Sequence, residues 1–336
     1  MNKPTISVIV PAYNAEKTLE RSVASIMNQT LPFTEYEVIL VNDGSQDGTA
    51  RVCGELAKKY PFIYIIEKPN GGASSARNAG MKAARGEHII FVDADDEVTP
   101  TYLETLLGEE DWDLHVGSMT LVNNKGERHD ACLYERTLTT QEEMAEAVLE
   151  MMQKDLPVSV CNSLLKTSIL RENNMTLDER MVQCEDADFI MRYLRFCKKV
   201  HLSDKPNYVY YLPDEKKTYN DKNGLRTSLK LLDNAYQLSM KESTRKAFRK
   251  YYLSWANEEL FYYKGDEEEL KALAEKFGEL CQPYLKENDR KAFRHRMFKN
   301  MCRSRKAEHI IKTARRVMNL YHFLHAVSLR HLFRKA

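Results

Sequence analysis

No stretch of this 336-residue sequence reaches the 18 or so apolar residues that a membrane-spanning helix needs. The opening Met1-Asn2-Lys3-Pro4-Thr5 leads into an apolar segment of only five residues, too short for the core of a secretory signal. Seven cysteines, an odd number without a C-x-x-C pair, argue against a disulfide framework and for free thiols in a reducing cytoplasm. There is no G-x-G-x-x-G after the first apolar segment and no G-x-x-x-x-G-K-[ST] anywhere, so dinucleotide and P-loop phosphate cradles are poorly supported. Internal repeats and low-complexity linkers are absent too. The net charge is only +1, which by itself says nothing about partners.

What is present begins with enough apolar residues, 43%, for a substantial core, and with a length that suggests about two domains. The near-zero charge hides an uneven distribution. Residues 290–336 hold fourteen Lys and Arg against one acid, Glu308, a net of +13; with +1 for the whole chain, the first 289 residues carry −12.

The first hundred residues alternate. Ile6 to Val10 reads as a strand stopped by Pro11, followed by a helix with Leu19, Val23 and Ile26 on one face. Tyr36 to Val41 is a second strand, then a helix carries Val52, Leu56 and Ala57, and Phe62 to Ile66 is a third strand. Gly71-Gly72 opens a helix containing Arg77 and Asn78, and His88 to Val92 is a fourth strand. Such β-α-β alternation implies a parallel sheet with right-handed crossovers. Its strand ends carry Tyr13-Asn14, Asn42-Asp43-Gly44-Ser45, Asn70-Gly71-Gly72 and Asp93-Ala94-Asp95-Asp96, which would build one polar site at one sheet edge.

The last of these is the most informative. Three carboxylates follow a buried strand at once, and like charges so close repel unless a cation lies among them. If the strand continues, Asp93 and Asp95 point the same way. Hard oxygen ligands of this kind suit Mg²⁺ or Mn²⁺ shared with substrate phosphates. A solvated acidic turn would have the same composition. Thr99-Pro100 then offers a helix N-cap and a proline at the first helical position.

Together, Ser7-Val8-Ile9-Val10-Pro11-Ala12-Tyr13-Asn14, Val41 to Thr49, Gly71 to Gly80 and Asp93-Ala94-Asp95 resemble the family 2 glycosyltransferases, in that family's order and spacing. The match is close over the first hundred residues and looser to about 220. The resemblance implies a GT-A-type α/β fold, a mostly parallel sheet flanked by helices, with an α-helical C-terminal extension. It makes residues 1–220 a catalytic domain, with a nucleotide-sugar half (1–115) and an acceptor half (116–220), and leaves 221–336 as a separate region that reads as helical from its own residues. It also implies that Pro11, Ala12 and Tyr13 border a uracil, with Asn14 and Gly72 beside the donor. On the same grounds Asp43 accepts the uracil ring N–H, Arg77 approaches the nucleotide, Asp93 and Ala94 take the ribose side, and Asp95 is the protein ligand of Mn²⁺ or Mg²⁺.

Past residue 100, Asp113 to Asn123 reads as a strand and Gln141 to Met152 as a helix. Gln183-Cys184-Glu185-Asp186-Ala187-Asp188-Phe189 matches the family's Glu-Asp signature at a helix start, with Phe189, Ile190 and Tyr193 anchoring it. The resemblance makes Asp186 the general base that takes the proton of an acceptor hydroxyl. Asp188 is a nearby competitor, and acids near a helix N-terminus are favoured in any case. One departure stands out: the family's arginine after Tyr-x-Tyr is replaced by Tyr211, with Lys216-Lys217-Thr218 beyond it.

From 224 onward the chain reads as helices, with Leu225, Leu229, Leu232, Tyr236 and Met240 on one face and more aromatic surface at Trp255 and Tyr262-Tyr263. In the basic end, Ile310, Ala314, Val317, Tyr321 and Leu324 line one side of a helix whose polar face suits an anionic membrane surface. A solvated helical cap is the alternative, and nothing favours nucleic acid. The expectation is an inverting glycosyltransferase acting on a glycan or lipid-linked acceptor in cell-surface polysaccharide synthesis, cytoplasmic and held at the inner membrane face. A metal-dependent nucleotidyltransferase and a non-catalytic nucleotide-sugar-binding protein remain as rivals.

Overall fold

The computed structural model describes residues 3–154, 156–213, 224–249, 251–252, 268–270 and 272–275. The chain forms two compact units, Met1–Tyr219 and Asn220–Ala336. In the first, the expected alternation is realised as β1 (Ile6–Ala12), α1 (Leu19–Met27), β2 (Tyr36–Asp43), α2 (Thr49–Lys59), β3 (Ile63–Lys68), α3 (Ala73–Ala83) and β4 (His88–Phe91). β1 and β2 are almost wholly buried, as their continuous apolar runs require of strands covered on both faces. Each fully buried Val, Leu or Ile contributes roughly 1.5–3 kcal/mol. α1 turns Leu19, Val23 and Ile26 inward, as their spacing predicts. α3 lies so close to β1 that a Cβ at Gly80 would stand 2.3 Å from Ile9 Cγ2.

β1 pairs in parallel with β2 and β4, and β2 with β3. The remainder of the unit is β5 (Glu97–Val98), α4 (Tyr102–Leu107), β6 (Leu114–Val122), β7 (Arg128–Ala131), β8 (Arg136–Leu138), α5 (Gln141–Gln153), β9 (Ser163–Lys166), α6 (Thr167–Glu172), α7 (Glu185–Leu194) and β10 (Val200–Tyr211). The sheet order is β3-β2-β1-β4-β9-β6-β10-β5, with β7 on β6 and β8 on β10. The sheet is mixed. β9 runs antiparallel to both β4 and β6, so β6 and β10 return to the direction of β1–β4. The C-terminal ends of β1–β4, β6 and β10 therefore share one edge, and the start of β9 reaches that edge as well.

Three local expectations are corrected. Pro11 does not stop β1, which continues to Ala12 in register with β2. Ile9 O accepts from Val92 N at 3.0 Å, so by alternation the Pro11 nitrogen also faces the β4 side, where β4 has already ended at Phe91 and no donor is needed. The fourth strand, expected over 88–92, ends at Phe91, and Asp96 N closes a turn on Asp93 O at 3.1 Å, so the condition that the strand continue to Asp95 is not met. Alternation along a strand thus does not set the directions of Asp93 and Asp95. Thr99 is no helix cap: its N–H and hydroxyl are engaged by Asn207, at 2.9 and 3.1 Å, and α4 begins after Thr101. α5, in contrast, starts on a complete capping box of Thr140 and Glu143.

In the second unit, α8 (Gly224–Leu238) buries Leu229 and Leu232. Met240 lies beyond that helix and is 74% exposed, so it leaves the expected face. A further helix covers 242–249. Among the described residues no helix is long and apolar enough to cross a membrane. The expectations for Lys216-Lys217-Thr218, for the Leu225 side chain, for Trp255 and Tyr262-Tyr263, and for residues 290–336 lie outside the described residues.

Candidate active site

The loops after β1 and β2 are laced together. Asn14 adopts a left-handed φ of 51°, which Asn tolerates because its short amide can bond locally. Its N–H donates to Ser45 Oγ at 3.0 Å, and its Oδ1 accepts from Gln46 N at 2.8 Å. Next to it Tyr13 is half exposed, while Ala12 is buried and Pro11 half-buried. Asp43, buried at the end of β2, accepts the N–H of Gly71 at 3.0 Å and of Gly72 at 2.8 Å, and pairs with Lys68. Gly72 has φ 84° and caps α3, a conformation L side chains rarely adopt. Asp43 therefore fixes the entry to α3, and Oδ2, which accepts from the Gly71 and Gly72 N–H groups, is the oxygen not paired with Lys68.

α3 carries the centre of the site. Arg77 is buried, and its Nη2 donates to Asp93 Oδ1 at 2.9 Å. Its Nη1 lies 3.4 Å from Asp186 Oδ1 and 3.6 Å from Glu185 Oε1. Burial works against the guanidinium's charge, but Asp93 and Asp186 outweigh it and hold its pKa well above the ordinary value. One cation thus joins carboxylates 16 and 109 positions away in the chain.

The acidic turn separates its members. Asp93 faces Arg77, Ala94 is buried, and Asp95 is exposed. Asp96, which the sequence reading did not single out, is 1% exposed. Its carboxylate accepts from the Tyr208 hydroxyl at 2.7 Å and from Tyr211 N at 2.9 Å. Burial, followed by the neighbouring Asp93, pushes its pKa up to about 8 despite those donors. Tyr211 stands where the family's arginine is missing. An arginine from α1 reaches it: Arg21 covers the Tyr211 ring at 4.1 Å and donates to Asp95 O at 2.6 Å.

α7 opens at Glu185 after Cys184, which has φ 56°. Phe189, Ile190 and Tyr193 are buried and hold the helix, as expected. Burial and then Asp186 raise the Glu185 pKa to about 6. Asp186 Oδ2 accepts from Ser159 Oγ at 2.7 Å and Val160 N at 3.3 Å. Asp188 points elsewhere: it is fully buried and paired with Arg192 at 2.8 Å. Of the acids at the helix start, Glu185 and Asp186 both share the Arg77 cation with Asp93, and Asp186 lies nearer to it, at 3.4 against 3.6 Å. Ser159 carries no sequence signal, and Tyr208 only its place in a Tyr-x-Tyr segment.

No group of three or more His, Cys, Asp or Glu among the described residues is arranged to hold a metal ion. Arg77 engages Asp93, Tyr208 and Tyr211 engage Asp96, and Asp95 is an exposed residue of the turn. A single exposed carboxylate fits a hard cation that takes most of its ligands from phosphate and water.

Residues 7–168 match the family model described as glycosyl transferase family 2. The uncharacterized glycosyltransferase EpsJ of Bacillus subtilis is 33% identical over 211 residues, 62% of this chain and 61% of the relative. The poly(ribitol-phosphate) beta-N-acetylglucosaminyltransferase TarS of Staphylococcus aureus is 30% identical over 207 residues, 60% of this chain and 35% of the relative. The chain thus spans less than two thirds of these curated relatives. The crystal structure of S. aureus TarS 1–349 in complex with UDP-GlcNAc superposes with a TM-score of 0.70 at 22% identity, covering 95% of this chain and 91% of that one. That likeness identifies the fold as GT-A. With the strand-end motifs gathered at one edge of such a sheet and residues 7–168 matching the family model, that segment of the chain is a glycosyltransferase family 2 domain.

Proposed function

We propose that the chain is an inverting glycosyltransferase that moves a sugar from a UDP-sugar to a hydroxyl of a glycan or lipid-linked acceptor in cell-surface polysaccharide synthesis. The observation that carries this reading is the Arg77 bridge, which brings Asp93 and Asp186 onto one guanidinium. A donor group and a base must stand this close if one nucleophile is to attack an anomeric carbon held by the other half of the site. In this reading Pro11, Ala12, Tyr13, Asn14, Asp43 and Gly72 receive the nucleotide, Asp93 and Ala94 the ribose side, and Asp95 the cation. The acceptor oxygen bonds to the anomeric carbon from the face opposite the leaving group, the carbon–oxygen bond to the diphosphate breaks, and Asp186 takes the hydroxyl proton. Mn²⁺ or Mg²⁺, when bound, supplies charge neutralisation of the diphosphate. Single displacement converts an α-linked donor to a β-linked product.

The relatives support both donor and pathway: TarS is crystallised with UDP and with UDP-GlcNAc, and a further relative is a poly(ribitol-phosphate) beta-glucosyltransferase. The +13 net charge of residues 290–336 supports attachment to an anionic leaflet near a lipid-linked acceptor, at about 1 kcal/mol per Lys or Arg that reaches the surface. Binding to anionic but not neutral vesicles, weakened by salt, checks that part.

The deciding experiment is a panel of UDP-sugars with Mn²⁺ or Mg²⁺. Release of UDP from one of them supports the reading. Pyrophosphate release from a nucleoside triphosphate instead would identify a nucleotidyltransferase, and tight UDP binding without turnover a binding protein.

A further inference from the structure

We propose that Ser159 is the positioning residue for Asp186, and that Asp186 Oδ1 is the atom that takes the acceptor's proton; this rests on Asp186 being the base. The argument is one of lone pairs. An ionised carboxylate offers about two acceptor sites on each oxygen. Asp186 Oδ2 has both filled, by the Ser159 hydroxyl at 2.7 Å and the Val160 N–H at 3.3 Å. Among the described residues Oδ1 has a single long partner, Arg77 Nη1 at 3.4 Å. One oxygen is an anchor, and the other retains a site for a proton.

The anchor is itself held. Ser159 Oγ accepts from Cys161 N at 3.1 Å, which leaves the hydroxyl hydrogen directed at Asp186. Ser159 O accepts from Ser163 Oγ at 2.9 Å, at the first residue of β9. Cys161 bridges Phe91, the last residue of β4, and the Asn162 carbonyl accepts from Gly117 N of β6 at 3.0 Å. The serine is thus fixed to the two strands that flank β9, and α7 brings Asp186 to it. A carboxylate clamped at one oxygen cannot rotate its other oxygen away from the acceptor. Because β9 runs against its neighbours, this segment, 27 positions before Asp186, reaches the same edge as the strand-end motifs.

The test uses the full chain, with Ser159→Ala, Ser159→Thr, Asp186→Asn and the Ser159→Ala/Asp186→Asn pair, reading UDP release from UDP-glucose, UDP-galactose or UDP-N-acetylglucosamine and UDP affinity by calorimetry. Ser159→Ala should lower kcat by roughly 10- to 100-fold with the donor KM and UDP affinity within about twofold. Ser159→Thr, which keeps the hydroxyl, should recover most of that loss. In the Asp186→Asn background, Ser159→Ala should change kcat by less than about twofold, because its effect passes through the lost carboxylate. If Asp186→Asn cripples the enzyme but Ser159→Ala is silent, or costs the same factor in both backgrounds, the positioning role is wrong while the base stands. If Asp186→Asn is itself mild, the base assignment falls and this inference with it.

Discussion

The Tyr208 hydroxyl donates to Asp96 Oδ2 at 2.7 Å across 112 positions of chain. The Tyr208 hydroxyl oxygen in turn accepts the Asp93 N–H at 3.1 Å, so one phenol near the end of β10 holds both ends of the Asp93–Asp96 turn. Tyr208→Phe keeps the ring, buried against Tyr102 at 6.0 Å, and removes only this clamp. The buried Asp96 carboxyl and the half-buried Asp93 N–H then lose a partner, and unfolding stability should fall by about 1–3 kcal/mol. A urea midpoint equal to wild type would show that the turn closes without the hydroxyl.

Asp186 and Asp188 should fail in different ways. Asp186→Asn is expected to lower kcat by roughly 10²–10⁴ while barely altering UDP affinity. Asp188→Asn breaks a fully buried carboxylate's pair with Arg192, so its main cost should appear in stability, about 1–3 kcal/mol. Kinetics at a temperature where both variants are folded separate the two. A crippling Asp188→Asn beside a mild Asp186→Asn would reverse the assignment.

For the cation, UDP should bind more tightly with Mn²⁺ or Mg²⁺ than in excess chelator, because the Asp95 carboxylate and the diphosphate would share the ion. Asp95→Asn should reduce the metal-dependent part of the affinity and leave unfolding unchanged, since the residue is exposed. Calorimetry giving equal affinities with and without chelator would remove the metal from the site.

A pH dependence of stability should arise far from that edge, at His115 in β6. Burial, then the neighbouring His201, lowers its pKa to about 4, and its Nδ1 lies 2.7 Å from the Leu106 carbonyl. The unfolded chain takes up this proton near the ordinary histidine pKa of about 6.5, whereas the folded chain resists until about 4. Over that window the unfolded state binds more protons, so stability is lost as pH falls from about 6.5 to about 4 and changes no further from this group below it. His115→Asn, which keeps a donor near Leu106 O, should flatten that part of the profile; an unaltered slope between those pH values would assign it to other groups.

Much of the first hundred residues was legible because their information is local. β1–β4 are contiguous apolar runs, and the polar residues that follow each run must emerge at one edge once the strands are parallel. Pro11 misled because a proline reads as a stop unless one knows that the neighbouring strand has ended before its nitrogen. Thr99-Pro100 looked like a cap because the competing partner, Asn207, lies 108 positions away.

The sequence by itself determined the alternation of strands and helices, the polar strand ends, the acid pairs and the family to which they belong, since each depends on residues close in the chain. Tertiary structure alone decided which of the acids do what. Asp93, Asp95 and Asp96 are near neighbours in sequence, yet Arg77 engages the first, exposure leaves the second at the surface, and Tyr208 seals the third in the core. Asp188 is likewise only two residues along the helix from Asp186, yet it is paired with Arg192. The antiparallel direction of β9, which delivers Ser159 to the edge that carries the strand-end motifs, follows from how the whole sheet closes between β4 and β6, and pairing of that kind is written in packing across the chain, not in any one segment of it.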